Sequence, residues 1–324
     1  MPIEQDKKIE THKTVLSVVI PVLNEEGNVA YLLESLIKDI KQLDVSYEII
    51  FIDDGSSDKT WHLITEASKK NAHIKGISLS RNFGHQNAVF TGLHYASGKA
   101  IITMDGDCQH PPEKIAELYN AWQKGFKIVN TKRIDSEDFS FIKRFTSRLF
   151  NKIFSLLSGL PMSKGLSDFR LIDRQVVDVI KDMRDTDLFF RGITHWVGFS
   201  ATTITFQANK RYSGSTKFSL WKLFKFSISA ILSFSIVPLK FSIWLGFITS
   251  LLAFAELVYI FIRYIQGISV PGWASTLTVI SFMFGMLFIL LGIIGAYLGN
   301  IFETLKNRPR FLIQDMSGFI DDNG

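Results

Sequence analysis

The sequence predicts an α/β protein whose mostly parallel sheet is covered by helices on both faces, followed by a membrane-associated segment. Short apolar runs alternate with segments whose apolar residues recur at helical spacing, and polar loops separate the two. Residues 221–300 are mostly apolar, whereas residues 1–220 have the composition of a soluble domain. Strands that alternate with helices imply right-handed crossovers and a parallel sheet with helices on each side.

Composition and charge exclude several classes of protein. The net charge of +5 is diffuse and no basic run is interleaved with aromatic residues, so a nucleic-acid partner is not expected. The single cysteine, Cys108, excludes internal disulfides and favours a reducing compartment. Residues 1–14 are polar and charged, which predicts a flexible tail rather than a signal peptide or a transmembrane segment.

The elements follow in order from the apolar runs and the helical periodicity. The first strand, Val15–Val22, is followed by a helix from Val29, for which Asn28 is a candidate N-cap. Ser57 is a candidate cap for the second helix, Thr60–Ala67. The other predicted strands are Glu48–Ile52, Ile74–Leu79, Ala100–Met104, Phe126–Thr131 and Thr202–Phe206. Four further helices are predicted: one that ends near Tyr95, one that begins at Glu113 after two prolines, and two that cover Phe139–Leu157 and Val176–Met183. Asp173 and Arg174 are expected to cap the last of these.

Polar loops follow three of the predicted strands and should meet at one edge of the sheet. They comprise residues 21–25, 53–58 and 105–109, and parallel strands place all of their carboxyl ends on the same side. Asp105 and Asp107 lie two residues apart and Gln109 adds a neutral oxygen, a set that could hold a hard divalent cation. A plain polar turn is an equal alternative for Asp-x-Asp alone, and turn formation or helix capping is the alternative for the acids at 53, 54 and 58. Neither a dinucleotide-binding G-x-G-x-x-G nor a P-loop motif is present.

Four motifs in order carry a resemblance to a known family. V-V-I-P-V-L-N-E-E, I-D-D-G-S-S-D, R-N-F-G and M-D-G-D-C-Q-H-P-P-E resemble the family 2 glycosyltransferases, which have the GT-A fold. The chain is most similar to the polyprenyl-phosphate glycosyltransferases, a group that includes dolichyl-phosphate mannose synthases and bactoprenyl glucosyltransferases. The match covers about residues 15–217, which predicts a GT-A domain with those bounds.

The resemblance implies roles for residues of the first half. Asp105, Asp107 and Gln109 would hold Mg²⁺ or Mn²⁺ against the donor diphosphate. Many relatives carry an aromatic residue where this chain has Leu23, a departure that bears on base stacking. Residues implied to bind the donor nucleotide are Pro21, Leu23, Glu25, Asp53, Asp54, Arg81, Asp105 and Gly106.

A second set of residues is expected to bind the acceptor. Lys143 and Ser147 lie four residues apart, hence on one helix face, and a cation with a hydroxyl suits a phosphate. The alternative for that helix is a solvated basic surface. The resemblance implies that the acceptor phosphate is bound by Arg133, Lys143 or Arg144, and Ser147. Arg211 and Lys217, in a basic glycine- and serine-containing loop, are expected to contact the diphosphate or the acceptor phosphate, or to form a membrane-proximal basic patch.

Asp168 is the candidate catalytic base that the resemblance implies, placed near the anomeric carbon. A phosphate monoester is already largely ionised near neutral pH, because its second pKa is about 6. The carboxylate would therefore position or polarise the reacting groups more than it would deprotonate the acceptor. The alternative is a surface or salt-bridged aspartate.

The apolar part predicts how the chain is anchored. Residues 218–239 are predicted to form an amphipathic interfacial helix that ends at Pro238, and residues 240–299 a hairpin of two spans, Phe241–Ile262 and Trp273–Leu298. Lys and Arg residues flank one side, which places the catalytic domain, both termini and the tail of residues 300–324 in the cytoplasm. The resemblance implies a homotetramer.

The leading functional hypothesis is an inverting transferase that moves one hexose, glucose from UDP-glucose, to undecaprenyl phosphate. GDP-mannose and other UDP-sugars stay open as donors. The Q-x-x-R-W signature of processive synthases is absent, since residues 189–192 read F-F-R-G, which favours transfer of a single sugar. The alternatives from other classes are a phosphohydrolase with an aspartyl nucleophile and a non-catalytic membrane scaffold.

Overall fold

A computed structural model of the chain describes residues 14–134, 166–183, 190–208, 237–267, 272–306 and 308–319. These residues form two compact units. One contains the sheet and its helices together with the C-terminal residues from Pro309, and the other contains two long apolar helices.

The sheet has eight strands in the order β7-β5-β6-β4-β1-β2-β3-β8. The strands are β1 Leu16–Val22, β2 Tyr47–Asp53, β3 Ile74–Leu79, β4 Ala100–Thr103, β5 Ile128–Ile134, β6 Leu166–Asp173, β7 Ala201–Gln207 and β8 Ile313–Ser317. β6 and β8 run opposite to all the others. The prediction of a mostly parallel sheet is therefore confirmed.

Helices cover both faces of this sheet, as the α/β pattern predicted. They are α1 Val29–Lys41, α2 Thr60–Lys70, α3 His85–Tyr95, α4 Lys114–Gln123, α5 Arg174–Asp182 and α6 Phe190–Trp196. Val18 and Ile20 of β1 share one buried cluster with Leu32 of α1. The intervening Val19 faces α3, where a Cβ on Gly92 would lie 2.1 Å from its Cγ1. Successive side chains of a strand point to opposite faces, so one strand supplies the core on both sides.

Two capping predictions can be compared directly with the structure. Asp173 caps α5 as predicted, because its carboxylate accepts a hydrogen bond from the backbone N–H of Gln175. Ser57 was the wrong choice for α2, since Asp58 Oδ1 accepts from the backbone N–H of Thr60 at 3.0 Å. Asn28 is the N-cap of α1 by position, but its side chain makes no capping hydrogen bond.

Three further features of the sheet differ from the prediction. β5 extends to Ile134, so Arg133 lies within the strand and not after it. β6, which carries Asp168, was not predicted. β8 was also not predicted. It lies in residues 300–324, which were expected to form a tail, and it pairs antiparallel with β3 at the sheet edge.

The segment around β8 packs against α3 and completes the sheet unit. The backbone N–H of Ser80 donates to Leu312 O at 2.9 Å, which extends the pairing with β3. The ring of Phe311 lies 6.4 Å from that of Phe90, and the Arg310 guanidinium stacks on Phe90 at 4.4 Å. The C-terminal residues therefore contribute a strand and ring contacts to this unit.

A buried carboxylate holds the amino-terminal edge of the sheet. Glu48 is 2% exposed and accepts hydrogen bonds from the Ser17 hydroxyl, the Ser97 backbone N–H and the Lys75 ammonium, the last at 2.7 Å. Burial by itself raises the pKa of Glu48, but these hydrogen bonds and the Lys75 charge outweigh it, and the net pKa is lowered. The ionised form therefore stabilises the fold.

We expect Glu48→Gln to lower the free energy of unfolding by about 2–3 kcal/mol at neutral pH, because Lys75 loses its buried partner. Since the folded pKa is below the unfolded one, the wild-type contribution is present above the unfolded pKa of Glu48 and is lost as pH falls through the folded value. Denaturant unfolding as a function of pH measures both effects. Glu66→Gln, in the exposed ion pair with Lys69 at 3.7 Å, is the matched control and should change stability little. Equal losses in both variants would contradict the assignment.

The second unit consists of α7 Val237–Ile265 and α8 Trp273–Leu305. Two stretches, Val237–Ile265 of α7 and Val279–Leu305 of α8, are long and apolar enough to cross a membrane. Their mean hydropathies are 2.1 and 2.5. The two helices include both predicted spans. Pro238, the predicted end of the preceding interfacial helix, lies in the first turn of α7, where a missing N–H is tolerated. Residues 209–236, which include most of the predicted interfacial helix, lie outside the described residues.

Candidate active site

The carboxyl-terminal edge of the parallel strands brings the predicted loops together. The loops after β1, β2, β3 and β4 lie at this edge because those strands are parallel neighbours. β6 runs in the opposite direction, so its first residues, including Asp168, lie at the same edge. The last residues of β5, which pair with the start of β6, lie there too.

The loops after β1 and β2 are joined by reciprocal hydrogen bonds. The backbone N–H of Asn24 donates to Ser56 Oγ at 2.8 Å, and the backbone N–H of Ser57 donates to Asn24 Oδ1 at 2.8 Å. Asn24 has φ 55°, a left-handed conformation that asparagine tolerates. The predicted nucleotide-binding residues of the first loop flank this junction. Pro21 is buried, and Leu23 and Glu25 are half-buried.

Asp53 and Asp54 hold the adjoining loops from inside. Asp53 is 1% exposed and accepts from the backbone N–H of Ser56 at 3.2 Å. The two carboxylate oxygens of Asp54 accept from the backbone N–H groups of Phe83 and Gly84, at 2.7 and 3.0 Å. Burial raises the pKa of both carboxyl groups. Asp54 therefore anchors the R-N-F-G loop, a contact that the resemblance did not indicate.

Gly55 lies where the loop after β2 contacts the backbone of the R-N-F-G loop. Its φ is 76°, and a Cβ there would lie 2.7 Å from the carbonyl carbon of Arg81 and 2.8 Å from the backbone nitrogen of Asn82. Arg81 itself is exposed, with its guanidinium 4.2 Å from the centre of the Phe83 ring. Because residue 55 has no side chain, the backbone of Arg81 and Asn82 can approach it this closely.

We expect Gly55→Ala to destabilise the protein by about 2 kcal/mol or more, because the new methyl group meets backbone atoms at a left-handed φ. It should also weaken binding of the expected donor nucleotide, since the predicted nucleotide loops must move apart. Gly125→Ala is the control, with φ 100° and nothing within 4 Å of the added Cβ. Thermal unfolding and calorimetric UDP titration measure the two effects. If both variants lose the same stability, the crowding at Gly55 has no consequence.

The Asp-x-Asp loop after β4 presents oxygen atoms suited to a cation. Asp105 Oδ1 is buried and accepts no hydrogen bond from the residues that the structure describes. Asp107 Oδ1 accepts from the backbone N–H of Gln109 at 3.1 Å. Gly106 lies against β1, since a Cβ on it would be 2.6 Å from Val22 Cγ1. Among the described residues no group of three or more His, Cys, Asp or Glu side chains is arranged to hold a metal ion. The two carboxylates and the Gln109 amide fit Mg²⁺ or Mn²⁺ as a partial set that ligand oxygens would complete.

Cys108, within the same loop, is an unreactive thiol. It is buried and has φ 60°. Burial, with the charges of Asp107 and Glu25, raises the pKa of this thiol to about 11. The thiol therefore stays protonated near neutral pH and does not serve as a nucleophile.

Arg133 is the predicted acceptor-binding residue that the structure describes. Its Nη1 donates to Gln109 Oε1 at 3.0 Å, so a predicted acceptor residue contacts a predicted metal ligand. The donor and acceptor sets, separate in the sequence, are in contact at this point. The other predicted phosphate-binding residues lie outside the described residues, namely Lys143, Arg144, Ser147, Arg211 and Lys217.

Asp168 is held by a buried guanidinium. Arg170 is 1% exposed, and its Nη2 donates to Asp168 Oδ1 at 3.0 Å. Nη1 of the same arginine donates to Thr194 Oγ1 of α6 at 3.0 Å. Asp168 is therefore ion-paired through Oδ1, and this contact also fixes where its other carboxylate oxygen lies.

Sequence reasoning missed two histidines in this site. His85, the first residue of α3, has its Nε2 3.5 Å from Asp105 Oδ1 and 3.9 Å from Asp168 Oδ2. It therefore lies between the predicted metal ligand and the predicted base. Its position directly after the R-N-F-G loop, at the same sheet edge, was the available signal. His110, the second, follows Gln109 and is buried.

Known proteins resemble this chain over nearly its whole length. Residues 17–181 match the family described as glycosyl transferase family 2. An uncharacterized glycosyltransferase of Synechocystis sp. is 40% identical, over 94% of this chain and 96% of that protein. A prophage bactoprenol glucosyl transferase homolog of Escherichia coli is 35% identical, over 92% of this chain and 98% of its own length. The bactoprenol glucosyl transferase derived from the SfII prophage of Shigella flexneri is 34% identical, over 92% and 97% respectively.

Proposed function

This chain belongs to glycosyltransferase family 2, and on that premise we propose that it transfers one hexose to the phosphate of a polyprenyl phosphate. The proposed donor is UDP-glucose and the proposed product a polyprenyl-phosphate glucose of inverted anomeric configuration. One observation carries the proposal. The Asp105–Asp107 loop and Asp168, from antiparallel neighbouring strands, meet at one sheet edge through His85. The names of the relatives from Escherichia coli and Shigella flexneri support a bactoprenol acceptor and a glucosyl group.

The donor is proposed to lie along the joined loops after β1 and β2. The nucleoside would contact Pro21, Leu23 and Glu25. Asp54 and Arg81, on the neighbouring loops, would complete this nucleotide site. Asp105, Asp107 and Gln109 would hold Mg²⁺ or Mn²⁺. When bound, such an ion neutralises charge that develops on the leaving diphosphate.

The reaction is a displacement at the anomeric carbon. An oxygen of the lipid phosphate forms a bond to that carbon while the bond to the UDP oxygen breaks, and the negative charge passes from the acceptor to UDP. Because the acceptor is already ionised, the proposed work of Asp168 is to orient the reacting groups. Arg133 would bind the acceptor phosphate by a charge-assisted hydrogen bond.

The decisive experiment uses the full chain purified in detergent. It is incubated with undecaprenyl phosphate, Mg²⁺ or Mn²⁺, and a panel of labelled nucleotide sugars that includes UDP-glucose and GDP-mannose. We expect labelled lipid with UDP-glucose. Transfer from GDP-mannose instead would replace the donor, and release of free phosphate without transfer would favour the phosphohydrolase alternative.

A topology prediction accompanies this proposal. Lys240, Lys306, Arg308 and Arg310 flank the outer ends of α7 and α8, and basic flanks favour the cytoplasmic side. A reporter fused after Gly324 should therefore be cytoplasmic, and one inserted near Gly267 should not be. The reversed result would separate the site from soluble nucleotide sugars, and the donor assignment would then fail.

A further inference from the structure

His110 makes hydrogen bonds with both of its ring nitrogens. The backbone N–H of Asp105 donates to Nδ1 at 3.0 Å, and Nε2 lies 2.8 Å from Ser167 Oγ. A backbone amide can only donate, so Nδ1 carries no proton and Nε2–H donates to the serine hydroxyl. The side chain is 6% exposed, and both nitrogens are engaged inside the protein.

Aromatic neighbours fix the plane of this ring. Phe169 stacks on it with centroids 5.2 Å apart and an interplanar angle of 18°. Phe206 meets it edge-on at 5.7 Å and 74°. The imidazole therefore has one position, set by two hydrogen bonds and two ring contacts.

The two partners of His110 belong to two different parts of the site. Asp105 follows β4 and begins the Asp-x-Asp loop, whereas Ser167 precedes Asp168 in β6. A second connection between these strands is the Thr103 hydroxyl, which donates to Asp168 O at 2.6 Å. The backbone oxygen of Ser167 also accepts a hydrogen bond from Arg170 Nη2 at 2.9 Å. The backbone around Asp168 is thus held from both strands.

We propose that His110 is a positioning residue that fixes the separation of Asp105 and Asp168 by way of Ser167. The inference rests on the proposed function, in which Asp105 faces the donor diphosphate and Asp168 the anomeric carbon. The bound donor must then reach from the Asp105 loop to Asp168. A small shift of either one misaligns the reacting atoms, although donor binding at the Asp105 loop persists.

Ser167→Ala tests this directly, because it removes the hydroxyl and leaves His110 and Asp168 unchanged. We expect kcat to fall about ten- to a hundredfold, the size of effect that a misplaced reacting group produces. UDP affinity in the presence of Mn²⁺, measured by calorimetry, should stay within about twofold. Ser68→Ala is the matched control, a serine of 6% exposure in α2 whose hydroxyl lies 2.7 Å from Ser317 Oγ. Both variants should show similar changes in melting temperature.

His110→Asn is the second variant of this test. Its amide oxygen can still accept from the backbone N–H of Asp105, but the donor to Ser167 is lost. The kcat of this variant should fall in the same range as that of Ser167→Ala, and the double variant should lose little more than either single one, since all three lack the His110–Ser167 hydrogen bond. If the asparagine variant does not fold, Ser167→Ala decides alone.

Two results would overturn the inference. A kcat for Ser167→Ala equal to that of Ser68→Ala would make His110 a packing residue only. A fall in UDP affinity equal to the fall in kcat would confine His110 to the donor loop. Absence of any sugar transfer by the wild-type protein contradicts the proposed function instead, so the two failures are distinguishable.

Discussion

Asp107→Asn should abolish sugar transfer, with a loss of about a thousandfold or more in kcat/KM, equivalent to about 4 kcal/mol of transition-state stabilisation. A hard divalent cation prefers charged oxygen ligands, and a neutral amide is a much weaker one. Removing one charge from a partial ligand set of two carboxylates and one amide leaves too little to hold the ion against a diphosphate. The same loss should follow when wild-type protein is treated with EDTA.

The fold should survive this substitution, which makes the experiment interpretable. Asp107 Oδ1 accepts from the backbone N–H of Gln109 at 3.1 Å, and the amide oxygen of an asparagine can accept the same bond. Asp44→Asn is the control, because Asp44 is an exposed turn residue with φ 50°, a conformation that asparagine adopts readily. Steady-state kinetics and a calorimetric titration of Mn²⁺ with UDP measure the effect. Full activity of the wild-type protein in EDTA would disprove the metal role.

The strands that the sequence predicted include those with continuous, buried apolar runs. β1 to β4 belong to this class, and β1 and β2 are buried over their whole length. β8 has the sequence I-Q-D-M-S and is mostly exposed, so no apolar pattern marks it. Its pairing with β3 comes from backbone hydrogen bonds at a sheet edge, which side-chain periodicity does not report.

In the candidate site, too, the sequence pattern predicts some features but not the individual contacts. The convergence of the loops was predictable, because parallel strands place their carboxyl ends on one side. The contacts within it were not predictable, since each joins residues far apart in the chain. Asp54 accepts from the amides of Phe83 and Gly84, and Arg170 reaches Thr194 of α6. Periodicity identifies neither partner, and only the folded arrangement brings them within hydrogen-bonding distance.

Asp168→Asn should lower kcat about a hundred- to a thousandfold, because the carboxylate faces the proposed reacting centre and its charge is lost. UDP affinity in the presence of Mn²⁺ should remain, since the donor loops come from β1, β2 and β4. The asparagine oxygen can still accept from Arg170 Nη2, which lies 3.0 Å from Asp168 Oδ1. The side-chain position is therefore kept while the charge is removed.

The same substitution leaves Arg170 without its counter-charge, so a loss of stability is expected alongside the loss of rate. Asp178→Asn is the control for losing an arginine-paired carboxylate, because Asp178 is 57% exposed and lies 3.7 Å from Arg174 in α5. Kinetics should be measured well below the melting temperature of each variant, with both substrates varied. A selective fall in kcat supports work at the anomeric centre. If UDP binding weakens by the same factor as kcat, Asp168 belongs to the donor site, and the group that orients the acceptor must be sought at Arg133.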